Sequence, residues 1–318
     1  MKINWKEICT VAMLTVLLPG LLLNTGRLWN RDLPAENAAP SDAVTEDDPK
    51  APVMIRVLQE NGEVETIELE EYLVGVVLGE MPADFEPEAL KAQAVVARTY
   101  TLRMCSNTRK HPNADVCMLP NCCQGYREGD DDRVRAAVEA TAGQVLTYEG
   151  ELIEATYFSS AGGRTEDAAA VWGSDVPYLQ STDSPEDAYA EHNLETVTMT
   201  AEEFEAALGV SLDGSCETWL GEVTYTDGGG VDTMVIGDTV FKGTELRKLL
   251  GLRSTAMLMT AVGEHITITT RGYGHRVGMS QYGAEAMAVD GSTYEEILAH
   301  YYHGTTLELF VDKESGIG

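Results

Sequence analysis

Apolar residues recur at Leu69, Tyr72, Leu73, Val76 and Val77, the i, i+3, i+4, i+7, i+8 spacing of one buried helical face. One more step along that stripe falls on Glu80, and Met81-Pro82 stops the helix there. Burial and the negative end of the helix dipole both disfavour a charge at that position, so the pattern predicts a raised pKa for Glu80. A carboxylic acid kept partly protonated suits general-acid catalysis; the alternative is a helix that simply ends with Glu80 in water. A second helix follows. Pro87 stands in its first turn, Glu86 and Glu88 lie at its positive end, and Ala89, Leu90, Ala92, Ala94, Val95, Val96 and Ala97 favour helix. Lys91 and Arg98 share one face, as do Gln93 and Tyr100, and the alanines allow close packing that aims polar side chains at the Glu80 pocket.

Elsewhere the period changes repeatedly. VMIRVLQENGEVETIEL reads as a strand, an Asn61-Gly62 turn and a second strand. A short helix is expected over 133–141, ended by Gly143, then strands in 143–148 and 151–160 turning at Glu149-Gly150. Thr200 with Glu203 makes a capping box for a helix that Gly209 ends. The stretch 197–260, with strands near 219–226 and 231–241 and a helix over 243–250, reads as a small inserted lobe forming one wall of a groove. HITITTRGYGHRVGMSQYGAEAMA gives a strand, a glycine-rich loop and a helix capped by Ser280, before a last helix over 294–302 and a closing strand, TLELFV. Without a regular βαβ rhythm, the fold class is α+β, with a substrate groove between a main domain and the smaller lobe.

The start of the chain differs. Residues 1–30 open with Lys2 and Lys6 and run apolar over 8–23, either a cleaved signal peptide or a signal anchor; with no A-x-A site following, an uncleaved transmembrane anchor with a cytoplasmic N-terminus is expected. Residues 31–52, rich in Ala, Pro and acids, read as a disordered acidic linker, leaving 53–318 as the folded part. The net charge of -30 argues against a nucleic-acid partner, which calls for a basic patch.

Cys105, His111, Cys117, Cys122 and Cys123 crowd into one loop rich in turn formers. His111 with the last three cysteines supplies the four nitrogen and sulfur ligands of a tetrahedral zinc, with no open position and hence a structural role; a disulfide is the alternative. Cys105 and Cys216 are then left to pair with each other, and Cys9 sits in the apolar N-terminal segment. Ser159-Ser160 lacks the glycine two places before a nucleophilic serine, which excludes the serine-hydrolase elbow and leaves hydroxyl donors to sugar or a polar turn. Gly272-x-Gly274 has Val277 where a dinucleotide loop needs glycine, so these glycines instead permit a bend holding His275 near the site.

Three stretches, GEMPADFEPEALKAQAVVARTY, FSSAGGRTEDAAAVWGSDVPYLQSTDSP at 158–185 and GYGHRVGMSQYGAEAMA at 272–288, resemble the SpoIID/LytB domain family, and the resemblance spans most of the chain beyond residue 53. It implies a membrane-anchored peptidoglycan lytic transglycosylase of sporulation, cutting glycan strands during engulfment, with its domain facing the wall. It makes Glu80 the catalytic acid/base and has Lys91, Gln93, Arg98, Ser159, Ser160, Tyr178, His275 and Gln281 line the glycan groove, Arg98 and His275 orienting Glu80 or binding sugar. Some members hold a metal on a His, Cys, His-Cys pattern, in which Cys122 stands where the second histidine does. The implied partners are glycan strands stripped of stem peptides, a wall amidase and membrane proteins of the engulfment machinery. Two rivals remain: a non-catalytic glycan-binding protein that recruits or stimulates an amidase, and a zinc hydrolase, which the lack of an open ligand position disfavours.

Overall fold

The chain begins its described structure with a hairpin, β1 Met54–Leu58 and β2 Val64–Glu68, in antiparallel register from Met54↔Glu68 to Leu58↔Val64. The structure is a computed structural model and describes residues 52–107, 110–119, 122–184 and 193–311. The expected anchor and all but the last residue of the expected linker lie outside these residues. No described helix is long and apolar enough to cross a membrane.

The hairpin leads into α1 Leu69–Glu80 and α2 Pro87–Asn107. Next come β3 Val116–Cys117, which adds to β1 in parallel, α3 Asp132–Ala140, β4 Gln144–Tyr148 and β5 Glu151–Leu152. β6 Tyr157–Phe158, β7 Gly163–Arg164, α4 Ala168–Trp172 and β8 Asp183–Ser184 are short. Then follow β9 Leu194–Thr200, α5 Ala201–Leu208, β10 Leu220–Tyr225, β11 Val231–Ile236, β12 Thr239–Lys242 and α6 Gly243–Leu249. β13 Met257–Val262, β14 His265–Arg271, β15 Met279–Ser280, α7 Gln281–Val289, α8 Tyr294–Tyr301 and β16 Thr306–Leu309 close the chain. Helices and mostly antiparallel small sheets thus mix without alternation, the α+β class.

Two hydrophobic clusters form the interior. The first gathers α1, α2, α3, α7, α8 and the inner faces of β1 and β4. The second lies on the three-stranded sheets β10-β11-β12 and β13-β14-β9 and draws its buried residues, Phe204 to Ile268, from β11, β12, β13, β14, α5, α6 and the turns beside them. The expected capping box at Thr200 and Glu203 is present, with Gly209 ending α5 in the left-handed conformation. The expected single strand over 231–241 is instead a hairpin: Gly237 takes φ 60°, and β11 turns back on itself as β12. The expected strand over 151–160 is also broken. β5 pairs with β4 while β6 pairs in parallel with β15, so one stretch serves two sheets.

The predicted stripe of α1 is buried, but so are Val74, Gly75 and Leu78, which encloses the helix on nearly all sides. α2 lies on one side and α3 on another. The segment after Cys123 crosses a third, its Arg127 N–H donating to the Gly75 carbonyl at 3.0 Å. This crossing needs hydrogen as the side chain: a Cβ on Gly79 would stand 2.7 Å from Tyr126 N and 2.8 Å from Gly125 C.

Arg98 departs from its expected role. Its side chain has no exposed surface, and Nε and Nη2 donate to the Glu70 carboxylate at 3.0 and 2.6 Å. The Val138 and Gln144 carbonyls take further bonds at 3.2 Å. The guanidinium therefore locks α1, α2, α3 and β4 together and offers no face to a glycan, because burying a charge demands this full set of partners.

Gly79→Ala tests the crossing. The added methyl meets backbone that cannot swing away, so a loss of about 1 to 3 kcal/mol is expected in denaturant unfolding despite alanine's better helix propensity. Unchanged stability would show that the segment can move aside.

Candidate active site

Glu80 ends α1 because the residue before a proline is pushed to extended backbone, and Met81 has φ -132° and ψ 141°. Its carboxyl is half-buried, and burial raises its pKa above the ordinary carboxylate range, opposed first by the bond from the Gly125 N–H. The Gly125 N–H donates to Glu80 Oε1.

Tyr157 belongs to a hydrogen-bond chain whose direction is fixed from the far end. Thr101 Oγ1 donates to the Ala97 carbonyl at 2.8 Å and so accepts from Gln124 Nε2, also at 2.8 Å. That turns Gln124 Oε1 toward Tyr157, whose hydroxyl hydrogen goes to it at 3.1 Å. The phenol oxygen is then left as an acceptor where it meets Glu80, a match for the protonated acid. On the other side Gln281 Nε2 lies 3.5 Å from Gln93 Oε1, and both side chains are buried. Gln93 Nε2 has no partner among the described residues.

The other expected residues have partners of their own. Lys91 is held by Glu88 at 2.6 Å and stands over the Tyr294 ring, so it is not drawn toward Glu80. Ser159 offers its carbonyl to Tyr282 N–H, while Ser160 is fully buried, its hydroxyl 3.5 Å from Asn193 Oδ1. Tyr178 packs on Tyr148 and accepts from the Glu154 N–H at 3.1 Å. His275 lies between Phe158 and Trp172, its Nδ1 accepting from Val277 N–H at 3.2 Å. Burial, then the nearby Arg247 charge, lower its pKa to about 4 against a backbone bond at Tyr157. His275 is therefore neutral near pH 7.

The His111, Cys117, Cys122 and Cys123 donor atoms all lie within 4.8 Å of one another. His111 Nε2 is 3.6 Å from Cys122 Sγ and 3.5 Å from Cys123 Sγ. A tetrahedral zinc with bonds of about 2.3 Å to sulfur and about 2.0 Å to nitrogen sets such edges at about 3.5 Å, so the set can hold a metal ion. Desolvation above all, with the neighbouring thiols adding to it against a backbone bond at Cys117, pushes the Cys123 pKa to about 12, a crowding that a cation would relieve. None of these cysteines forms a disulfide. The expected pairing of Cys105 with Cys216 is not made either: Cys105 packs against the first cluster, and Cys216, in the second, donates to the Gly263 carbonyl at 3.0 Å.

The SpoIID family model, described as stage II sporulation protein, matches residues 58–148. Stage II sporulation protein D of Bacillus subtilis (strain 168) is 40% identical, over 92% of this chain and 92% of that protein. The chain belongs to the SpoIID family. Stage II sporulation protein D of Bacillus amyloliquefaciens is 42% identical over 81% of this chain and 79% of that protein. The amidase enhancer of Bacillus subtilis (strain 168) is 33% identical over 74% of this chain but only 40% of its own length. The SpoIID match takes in Glu80, Gln93, the His/Cys set, Gln124 and Gly125; Tyr157 and Gln281 lie beyond it.

Tyr157, Gln124 and Gly125 are the site members that sequence patterning missed. The only sequence trace is position: Gln124-Gly125 directly follows Cys123, and Tyr157 precedes the serine pair. A concavity of about 290 Å³ opens elsewhere, lined by Glu65, Glu71, Tyr126, Glu128 and Arg135, and Glu80 takes no part in it.

The raised Glu80 pKa fixes a sign. Between the ordinary value near 4.5 and the raised one, the folded protein binds more protons than the unfolded chain, so stability falls as pH rises through that window. Unfolding of Glu80→Gln across pH 4 to 8 is expected to lack this fall. Tyr157→Phe, which removes the acceptor for the Glu80 proton, shifts the window to lower pH; a shift to higher pH would reverse the bond direction assigned above.

Proposed function

We propose that this chain is a peptidoglycan lytic transglycosylase that cleaves the MurNAc-GlcNAc bond and forms 1,6-anhydro-MurNAc, in wall remodelling during sporulation and engulfment. The observation that carries the reading is Glu80: a half-buried acid with raised pKa, held by Gly125, Tyr157 and Gln281 and by no second carboxylate among its described partners. Most glycosidases pair two carboxylates. Here Glu86 is exposed, and Glu88 is engaged by Lys91 and by the Tyr294 N–H at 2.8 Å.

One acid suffices when the sugar supplies its own nucleophile. Glu80 gives its proton to the leaving glycosidic oxygen as the bond to C1 breaks. The C6 hydroxyl of the same MurNAc closes on C1 and returns its proton to the Glu80 carboxylate, which restores the acid. The Gly125 N–H holds the carboxylate through the charged half of the cycle, and Tyr157 accepts from it in the neutral half. Gln93 and Gln281 support it from the other side; Lys91, Ser159, Tyr178 and His275 lie around the strand's path, with 197–260 as one wall of the groove. Residues 1–30 would anchor the chain in the cell membrane with 53–318 facing the wall, near an amidase that strips stem peptides and other membrane partners. The His/Cys set holds a structural zinc, which supplies no step of the chemistry.

A second reading follows from the likeness to the amidase enhancer: a non-catalytic glycan-binding protein that stimulates a wall amidase. Digestion of peptide-free glycan separates the two. Glu80→Gln is expected to fold and to lose cleavage by at least about a hundredfold. Wild-type product ends should be 1,6-anhydro sugars carrying no label from heavy-oxygen water, read by mass spectrometry. Undiminished cleavage by Glu80→Gln, or labelled reducing ends, would overturn the transglycosylase reading.

For the metal, the purified chain is expected to carry one zinc by elemental analysis. Cys117→Ser should release it and lower thermal stability, since the apo loop leaves buried thiols crowded together. Metal-free wild type of equal stability would refute this.

A further inference from the structure

Trp172 is 43% exposed, yet its indole is backed by His275 with ring centres 5.5 Å apart, and His275 in turn leans on Phe158 at 5.6 Å. An exposed tryptophan held on a rigid backing is a ready binding platform, because its large flat face is already ordered before a ligand arrives.

The rigidity has a visible source. Six residues before Trp172, Glu166 is buried and ion-paired with Arg276 at 3.1 Å. Arg276 also donates to the Ala161 carbonyl at 2.8 Å and to the Arg164 and Gly228 carbonyls at 2.7 Å. Arg276 has φ 65°, a conformation costly for a side-chain-bearing residue, so these bonds hold a strained backbone right beside His275. At the other end of α4, Gly173 stops the helix in the left-handed conformation.

A cation completes the surroundings. The turn after α6 touches the glycine loop, Gly274 N–H donating to the Arg253 carbonyl at 3.0 Å. Arg253 is committed, to Glu195 at 2.9 Å and to the face of Tyr273. The Arg247 side chain, on α6, is half-buried and its guanidinium has no ion pair or hydrogen bond with any described residue, while its charge acts on both His275 and Tyr273. A partly desolvated guanidinium without a counter-ion favours an anionic ligand.

We propose that Trp172 and Arg247, gathered around His275, form a subsite for an N-acetylmuramic acid unit whose lactyl carboxylate is free, the indole stacking on the pyranose and the guanidinium taking the carboxylate. This rests on the peptidoglycan reading above. It ties the preference for peptide-free glycan to two side chains, since a stem peptide converts that carboxylate into a neutral amide. Continuity with the acid runs through β6: His275 meets the Tyr157 backbone, and the Tyr157 hydroxyl meets Glu80.

The test is binding, by tryptophan emission, of two oligosaccharides of equal length to the full chain carrying Glu80→Gln. One is peptide-free glycan of alternating N-acetylglucosamine and N-acetylmuramic acid; the other is a neutral N-acetylglucosamine oligomer. Adding Trp172→Ala is expected to weaken both about tenfold, read by calorimetry, with Trp172→Tyr recovering most of the loss. Arg247→Met should weaken only the muramic glycan, about tenfold, and abolish its salt dependence. Parent-like binding of the muramic glycan by either Trp172→Ala or Arg247→Met would overturn the subsite. Equal weakening of both oligosaccharides by Arg247→Met would refute the carboxylate contact. Because binding needs no turnover, a wild-type chain that binds with these differences but does not cleave would sink the transglycosylase reading and leave the subsite standing.

Discussion

The segment from Cys123 to Arg127 crosses the last turns of α1 at a distance that only glycine permits. A Cβ on Gly75 would come within 2.2 Å of the Tyr126 ring, and one on Gly79 would strike the Tyr126 backbone. With hydrogens there, Tyr126 stacks on Tyr72 and Gly125 reaches the Glu80 carboxylate. Everything special about Glu80 depends on this approach. A glutamate at an open helix end would have an ordinary pKa, because water would solvate its charge. The crossing removes that water from one side and replaces it with a single backbone N–H, enough to place the carboxylate but not to offset its desolvation.

A second constraint ties the second hydrophobic cluster to the glycine loop. Glu166 and Arg276 are both buried, and Glu166 also accepts from Thr226 Oγ1 at 2.9 Å and Gly230 N–H at 3.0 Å. The turn between β10 and β11 is thereby bonded to the loop that carries His275. Glycine is again required: a Cβ on Gly228 or Gly230 would sit about on the carboxylate, at 2.5 and 2.2 Å from its oxygens. Buried ion pairs add little net stability, but breaking one partner is costly, so such a pair serves better to fix a register than to strengthen a fold. Here the fixed register is that of the second hydrophobic cluster against the glycine loop.

What the sequence showed plainly was local. The stop at Met81-Pro82, the capping box at Thr200 and Glu203, the turn at Asn61-Gly62 and the Ser280 cap are decided by residues within four places of one another, and the structure has each of them. The partial burial and raised pKa of Glu80 were legible because a carboxylate in an apolar stripe breaks a pattern. Arg98 misled because helical periodicity gives a face without saying what lies against it. The face it shares with Lys91 meets Glu70, α3 and β4 at one end and Glu88 and the Tyr294 ring at the other. Tyr157 and Gly125 were illegible for a related reason: both reach Glu80 from far along the chain, by contacts that no spacing encodes. The turn at Gly237 was missed because apolar alternation continues through it into β12, and only the left-handed glycine marks the reversal.

The His/Cys set gains its meaning from the same geometry. Gln124 and Gly125, the residues that orient Tyr157 and hold Glu80, follow Cys123 without a gap, so any freedom at Cys122 and Cys123 passes directly to the acid's partners. His111 approaches both cysteines from the preceding loop, and Cys117 anchors the set to the interior through β3, which pairs with β1. A cation shared by four such ligands would remove that freedom at its origin, two residues from Gly125. The placement explains why a closed ligand set is useful in this position. An open one would draw water toward a carboxyl group whose raised pKa depends on being partly dry.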